Sequence, residues 1–273
     1  PKAKPDPSAQ RPWDLLVQTR DQAELSRLKA FLVYSRRLDA DSPERKELLE
    51  KGLAMADKFV SERYEYFVMQ YEGQLQRGIF AYELGKHGTA EEHLGVLYSI
   101  EPPGEPPFPK ALIVAFKHLR LQAVLFGARA IVAAGQSSRA VSMLEESFVQ
   151  SRGTFGLSNA EDDPQLRQFA VLTRLQYGIA LADTGKVVEG LEQIQQVIRR
   201  YSSAGIAGGA LELVNEARKA LGELAVRGIA LRGEDYYEAA IGLKSALRFD
   251  DAVATFQRAL GAVMRREASV IAA

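Results

Sequence analysis

Three stretches of this 273-residue chain repeat one pattern at a spacing of fifty residues, and that repetition limits the possible folds more than any composition figure. Aligned on Gly85, Gly135 and Gly185, each stretch carries a small residue seven positions upstream (Gly78, Ala128, Gly178) and another five downstream (Ala90, Ala140, Gly190). An aliphatic residue follows nine downstream (Leu94, Leu144, Ile194). A fourth, degenerate copy has Ala240, then Leu247 at the glycine position, then Ala252, Phe256 and Ala259. Small residues let two helix backbones approach, and a large apolar residue opposite fills the remaining space. A glycine after the first helix takes the left-handed cap. The pattern predicts antiparallel helix pairs in series.

Helical spacing of apolar residues extends this reading along the chain, and no strand pattern competes with it. Leu15, Leu16, Leu25, Leu28, Leu32 and Val33 predict a helix over roughly 14–38, and Ser42 before Pro43 marks the start of a second, 43–60. Helices follow near 63–84, 87–100, 110–134 and 137–150. Two long loops, 101–109 and 151–163, separate successive pairs, and Asp163 before Pro164 opens the next helix. Later helices fall near 187–201, with Val187, Leu191, Ile194, Ile198 and Tyr201 in register, near 209–231, and near 249–266, with Phe249, Val253, Phe256, Leu260 and Val263. The opening ten residues, with three prolines and nothing apolar to anchor them, read as a linker.

These residues resemble the tetratricopeptide repeat, whose unit is a helix, a tight turn and a second helix. Between Gln74 and Pro102, the residues Gly78, Ala81, Gly85, Ala90, Leu94, Leu97 and Pro102 stand where the family places its small, aromatic or aliphatic, glycine, alanine, aromatic, alanine and proline residues. The copies from Val124 to Gln150 and from Arg174 to Arg200 keep the small-residue frame, but Ser147 and Val197 replace the late alanine and no proline follows. The last, Tyr236 to Ala262, keeps Tyr236, Ala239, Ala240, Phe249, Ala252, Phe256 and Ala259. The family's unit is 34 residues, whereas these recur at fifty, so the label is TPR-like. The resemblance implies an all-α, right-handed α-solenoid of about 10–11 helices. Residues 1–12 would be a flexible linker and 13–273 one repeat domain, with units at about 71–102, 121–150, 171–203 and 233–263.

Composition narrows the function classes. Lys plus Arg and Asp plus Glu balance at 35 each, so no overall field draws the chain to nucleic acid or anionic lipid. The absence of cysteine excludes disulfides, thiolate metal sites and cysteine nucleophiles, while leaving cytoplasm and periplasm both compatible. The apolar stretches Ala111–Phe116 and Leu121–Phe126 are interrupted by Lys117, His118 and Arg120, which argues against a membrane span and for a soluble chain. A first residue that is not methionine fits a processed product or a segment of something longer.

The usual chemical signatures do not stand out. His87 and His93 are six apart, where two ligands on one helical face need four, and the third histidine, His118, is remote. Gly205-Ile-Ala-Gly208-Gly209 follows a helix rather than a strand and reads as a helix break instead of a nucleotide loop. Adjacent carboxylates, Glu145-Glu146 and Asp162-Asp163, point apart on a helix and read as solvated. The arginine pairs at 36–37, 199–200 and 265–266 lie near helix C-termini, where they complement the macrodipole. Pro106-Pro107-Phe108-Pro109 reads as a helix stop and spacer, or as a polyproline ligand. No cofactor or metal is expected, and no catalytic residue is assigned.

The resemblance therefore supplies the site. In the family the first helices line a concave groove for an extended peptide or a partner helix. Carried onto this chain, the groove would present Glu72, Leu75, Ile79, Tyr82 and Glu83, then Gln122, Leu125, Arg129 and Val132. The later units would add Leu172, Leu175, Ile179 and Asp183, then Glu234, Tyr237, Ile241 and Lys244. Its aliphatic majority implies a protein or peptide partner with an apolar segment. The sequence expects a non-catalytic interaction scaffold or assembly factor; the alternative is a peptide- or ligand-sensing module of a larger regulator. Stacked repeats also need a polar final helix, so either the 209–231 helix folds back as a cover or the C-terminal helices meet a second subunit.

Overall fold

In the computed structural model, which describes residues 7–62, 67–202 and 210–271, every regular element is helical. Contacts divide the chain into two compact units, 1–130 and 131–273. Residues 1–6 of the expected linker, the 205–209 glycine segment, Ala272 and Ala273 lie outside the described residues.

The first unit begins with α1, Pro7–Ser35, and α2, Pro43–Glu62. Helix α1 starts about seven residues earlier than the sequence indicates and takes in residues 7–12 of the expected linker; Pro7 at its first position lacks only an N–H that would be unsatisfied anyway, and Pro12 lies within the helix. Ser42 caps α2 as expected, its Oγ accepting the Arg45 N–H at 3.1 Å. Helices α3, Phe67–Glu83, and α4, His87–Gly95, form the first clear pair. Helix α3 also packs against α1 and α2. A β-carbon at Gly78 would lie 2.4 Å from Leu94 Cγ, so the upstream small residue and the downstream aliphatic do oppose each other. Ala81, Ala90 and Ala130 cluster without solvent exposure. Helix α5, Lys110–Ala133, begins in this unit. By length and composition alone it could cross a membrane, since its few polar breaks do not outweigh its aliphatic content. In the fold Phe116, Leu119, Leu121 and the stretch from Ala123 to Phe126 are buried, and the Arg120 guanidinium donates to the Tyr98 carbonyl at 2.9 Å.

The second unit contains α6, Ser137–Leu144, followed directly by a π turn, Glu145–Val149. That turn closes with Gln150 N–H donating to the Glu145 carbonyl at 2.8 Å, and Phe148 ends buried. The widened turn falls at Ser147, where the repeat loses its late alanine. Helices α7, Arg167–Asp183, and α8, Val187–Tyr201, pack as a pair. Here the aligned glycines meet backbone to backbone: a β-carbon on Gly190 would sit 2.4 Å from the Gly178 carbonyl oxygen. Asp163 accepts the Gln165 N–H at 2.9 Å, yet regular helix starts only at Arg167. Helix α9, Ala210–Val226, packs against α8 and α10, Gly233–Ser245, and α10 packs against α11, Phe249–Ile271. Helix α9 is therefore an internal member of the series. Its crossing with α10 is set by Gly242, whose β-carbon would meet the Arg218 carbonyl at 2.3 Å.

The expected left-handed turns are present. Gly85, Gly135 and Gly185 have φ of 72°, 76° and 87°. The residue after each donates its N–H five positions back, Lys86 to Ala81, Gln136 to Ile131 and Lys186 to Leu181. The degenerate copy keeps the turn despite its side chain. Leu247 sits at φ 60° and Arg248 N–H reaches the Leu243 carbonyl at 2.9 Å. Gly228, at φ 83° after α9, makes a fifth such cap that lies off the fifty-residue spacing.

Candidate functional site

An open, largely apolar concavity lies on the last hairpin of the second unit. Asp235, fully buried, fixes the start of α10: its carboxylate accepts from the Arg232 backbone N–H at 3.3 Å, the Arg232 guanidinium at 3.2 Å and the Gln195 amide. Helix α11 then runs back along α10, burying Ala252, Thr255 and Ala259. Small residues here bring the two helices close, and a neighbouring stripe of large residues is left uncovered. The result is a groove of about 860 Å³ lined by α8, α10 and α11. Its floor is Ile198, Tyr237, Phe256, Leu260 and Val263, and its polar rim is Gln195, Arg232, Glu234 and Glu238. Tyr237 and Phe256 meet edge to face with centroids 5.8 Å apart. Tyr237 is 55% exposed and Leu260 62% exposed, values that oppose the burial expected of side chains this large. Arg218 donates to Glu238 at 2.6 Å, which holds one side of the rim in place.

Of the residues carried over from the repeat family, Glu234 and Tyr237 line this groove, and Lys244 is exposed at the other end of α10. The first-unit residues are engaged internally. Leu75 and Ile79 are buried. Glu72 accepts from Lys29 at 2.8 Å, and Glu83 from Arg36 at 2.8 Å and Arg45 at 2.9 Å. Lys29 belongs to α1 and Arg36 to the turn directly after it, so the end of α1 lies over the face of α3 that the resemblance leaves open. Tyr82 is half-buried against Phe126 and His87. Gln122 bonds a His118 ring nitrogen at 2.9 Å, and the Arg129 guanidinium stacks on Phe126 at 5.4 Å. In the second unit Asp183 accepts from Arg227 at 2.8 Å.

Of the carboxylates expected to be solvated, Asp162 is exposed but ion-paired and Glu145 accepts a hydrogen bond, while Glu161 next to Asp162 is buried. Glu161, its side chain 7% exposed, accepts from Arg174 and, at 3.0 Å, from Arg200, which also donates to Asp162 at 2.8 Å. With Phe155, Leu157 and Ala160 buried, these pairs seal the 151–163 loop onto α7 and α8. Arg200 thus serves a carboxylate pair rather than the helix dipole alone. Glu145 accepts from the Tyr177 hydroxyl at 3.1 Å; burial, reinforced by that hydrogen bond, pushes the phenol up to about 12. Burial pulls His93 and His118 below the usual imidazole value; for His93 the nearby Arg77 acts in the same direction. In the proline-rich loop Pro102 is buried and Pro103 to Pro107 are exposed.

No three potential metal ligands cluster among the described residues. Sequence reasoning missed Gln195, Arg232 and Asp235 at the groove, although Arg232 and Asp235 stand at the i, i+3 spacing of a helix-start box. No family model, no curated protein and no solved structure matches this chain.

Proposed function

We propose that this protein is an interaction scaffold of TPR-like helix pairs whose working surface is the groove of the final hairpin, where it takes an amphipathic helix of a protein partner. The observation that supports this most is the pairing of an apolar floor with a polar rim on one open face, Tyr237, Phe256, Leu260 and Val263 inside Arg232, Glu234 and Gln195. Helix-in-groove recognition needs that combination: apolar anchors supply affinity and the rim sets register. The floor draws on three helices, with Phe256, Leu260 and Val263 of α11 supplying most of it. The balanced net charge fits a protein partner better than a polyanion.

A displayed library of heptad-patterned helical peptides, panned against the full chain, tests this. Peptides should be enriched that bind the parent and lose binding to the variants Tyr237→Ala and Leu260→Glu while helical circular dichroism of the protein is unchanged. If no peptide depends on these residues, the groove is not a helix-docking site.

A further inference from the structure

Helix α11 carries two stripes with different fates. Ala252, Thr255 and Ala259 are buried towards α10. The other stripe, Phe249, Val253, Phe256, Leu260 and Val263, steps by four, three, four and three residues, a seven-residue repeat. Such a repeat keeps one seam facing a partner helix along its length and is the pattern of left-handed helix pairing. All of that stripe except Phe256, which meets Tyr237, is exposed. Helix α11 also outruns its neighbour. Its 23 residues compare with 13 in α10, and Gly233, the first residue of α10, lies beside Ala262. The helix itself continues to Ile271.

We infer that the helix seated on this face is α11 of a second copy of the chain, laid antiparallel, so that the groove and the helix that fills it are the same surface used twice. The inference rests on the helix-docking reading above and names its partner. Two observations select this occupant. The middle of the stripe is self-complementary in the antiparallel sense: about a centre at Arg258, Val253 falls level with Val263 and Phe256 with Leu260, which puts two large layers between two small ones. Area is sufficient. Tyr237, Phe249, Val253, Leu260, Val263 and Met264 each keep half or more of their surface in water. At roughly 200 Å² for a large side chain, that is about 600 Å² per copy and about 1,200 Å² for a two-fold pair, the lower end of stable interfaces. A two-fold contact also closes on itself and leaves no further apolar end.

Sedimentation equilibrium of the full chain over a wide concentration range, with the variant Leu260→Glu, tests the inference. The parent should show a monomer–dimer equilibrium, and Leu260→Glu should weaken it by about tenfold or more with helical circular dichroism intact. A strictly monomeric parent overturns the inference, and peptide panning then still decides separately whether the groove docks a helix. A dimer indifferent to Leu260→Glu overturns it as well.

Discussion

Replacing Gly190 by alanine should destabilise the second unit, although alanine is the better helix former. An alanine β-carbon there would stand 2.4 Å from the Gly178 carbonyl oxygen and 2.9 Å from the Ala182 nitrogen, both backbone atoms that cannot rotate aside. Ordinary contact needs about an ångström more, so the α7–α8 crossing must open; overpacking of this kind costs about 1–3 kcal/mol. Exchanging glycine for alanine inside a helix returns about 1 kcal/mol. The balance is a loss of up to about 2 kcal/mol, smaller if α8 can slide. Gly88 is the internal control. It is exposed in α4 with nothing near its missing β-carbon, so Gly88→Ala gains the helix term alone, about 0.5–1 kcal/mol. Urea unfolding of both variants, read by circular dichroism, should therefore give midpoints on opposite sides of the parent. If Gly190→Ala is as stable as Gly88→Ala, the helices do not cross at these glycines and the register built on Gly85, Gly135 and Gly185 is wrong.

Further outcomes follow from single sites. Leu247 holds a left-handed φ of 60° with its side chain 76% exposed, so Leu247→Gly should raise the unfolding free energy read from urea titration by about 0.5–1 kcal/mol, while Gly135→Leu, at φ 76°, should lower it by a similar amount. Glu161→Ala removes the buried acceptor shared by Arg174 and Arg200, which keep Gln193 and Asp162, and should cost about 1–3 kcal/mol, with the 151–163 loop becoming protease-sensitive; unchanged stability would mean the loop is not sealed by this carboxylate. His93 and His118 titrate below 6.5 when folded, so the unfolded chain binds more protons in that window. Stability should be fully present above about 6.5 and fall as pH drops through the folded values, and His93→Gln with His118→Gln should flatten the slope.

The parts of the fold that depend on local chemistry were legible in the sequence. A left-handed cap needs a glycine or a tolerated substitute, so Gly85, Gly135, Gly185 and even Leu247 announced their turns. Close crossing needs small residues, so Gly78, Gly178 and Gly190 announced where helices meet. Ser42 before Pro43 announced a helix start in the same way. What periodicity could not supply was which apolar face finds a neighbour. The outward face of α3 looks identical in sequence whether or not α1 covers it, and only Lys29 and Arg36 reaching Glu72 and Glu83 reveal that it does. The same ambiguity hid α9 as an internal helix, because its contact with α10 depends on Gly222 and Gly242, which belong to no repeat. At the candidate site Tyr237 and Glu234 were readable as an outward face of α10. Their combination with Phe256, Leu260 and Val263 required knowing that α11 buries its alanines and turns its large residues outward. Gln195 was invisible because it acts from forty residues away on Asp235.

Backbone hydrogen exchange of the full chain, with and without a synthetic peptide of residues 249–271, tests the docking face most directly. The account predicts added protection in α10 and α11 around Tyr237, Phe256 and Leu260, with α7 unchanged and with the effect absent in Leu260→Glu. Protection that is absent at any peptide concentration, or that appears only on helices away from this hairpin, would contradict it.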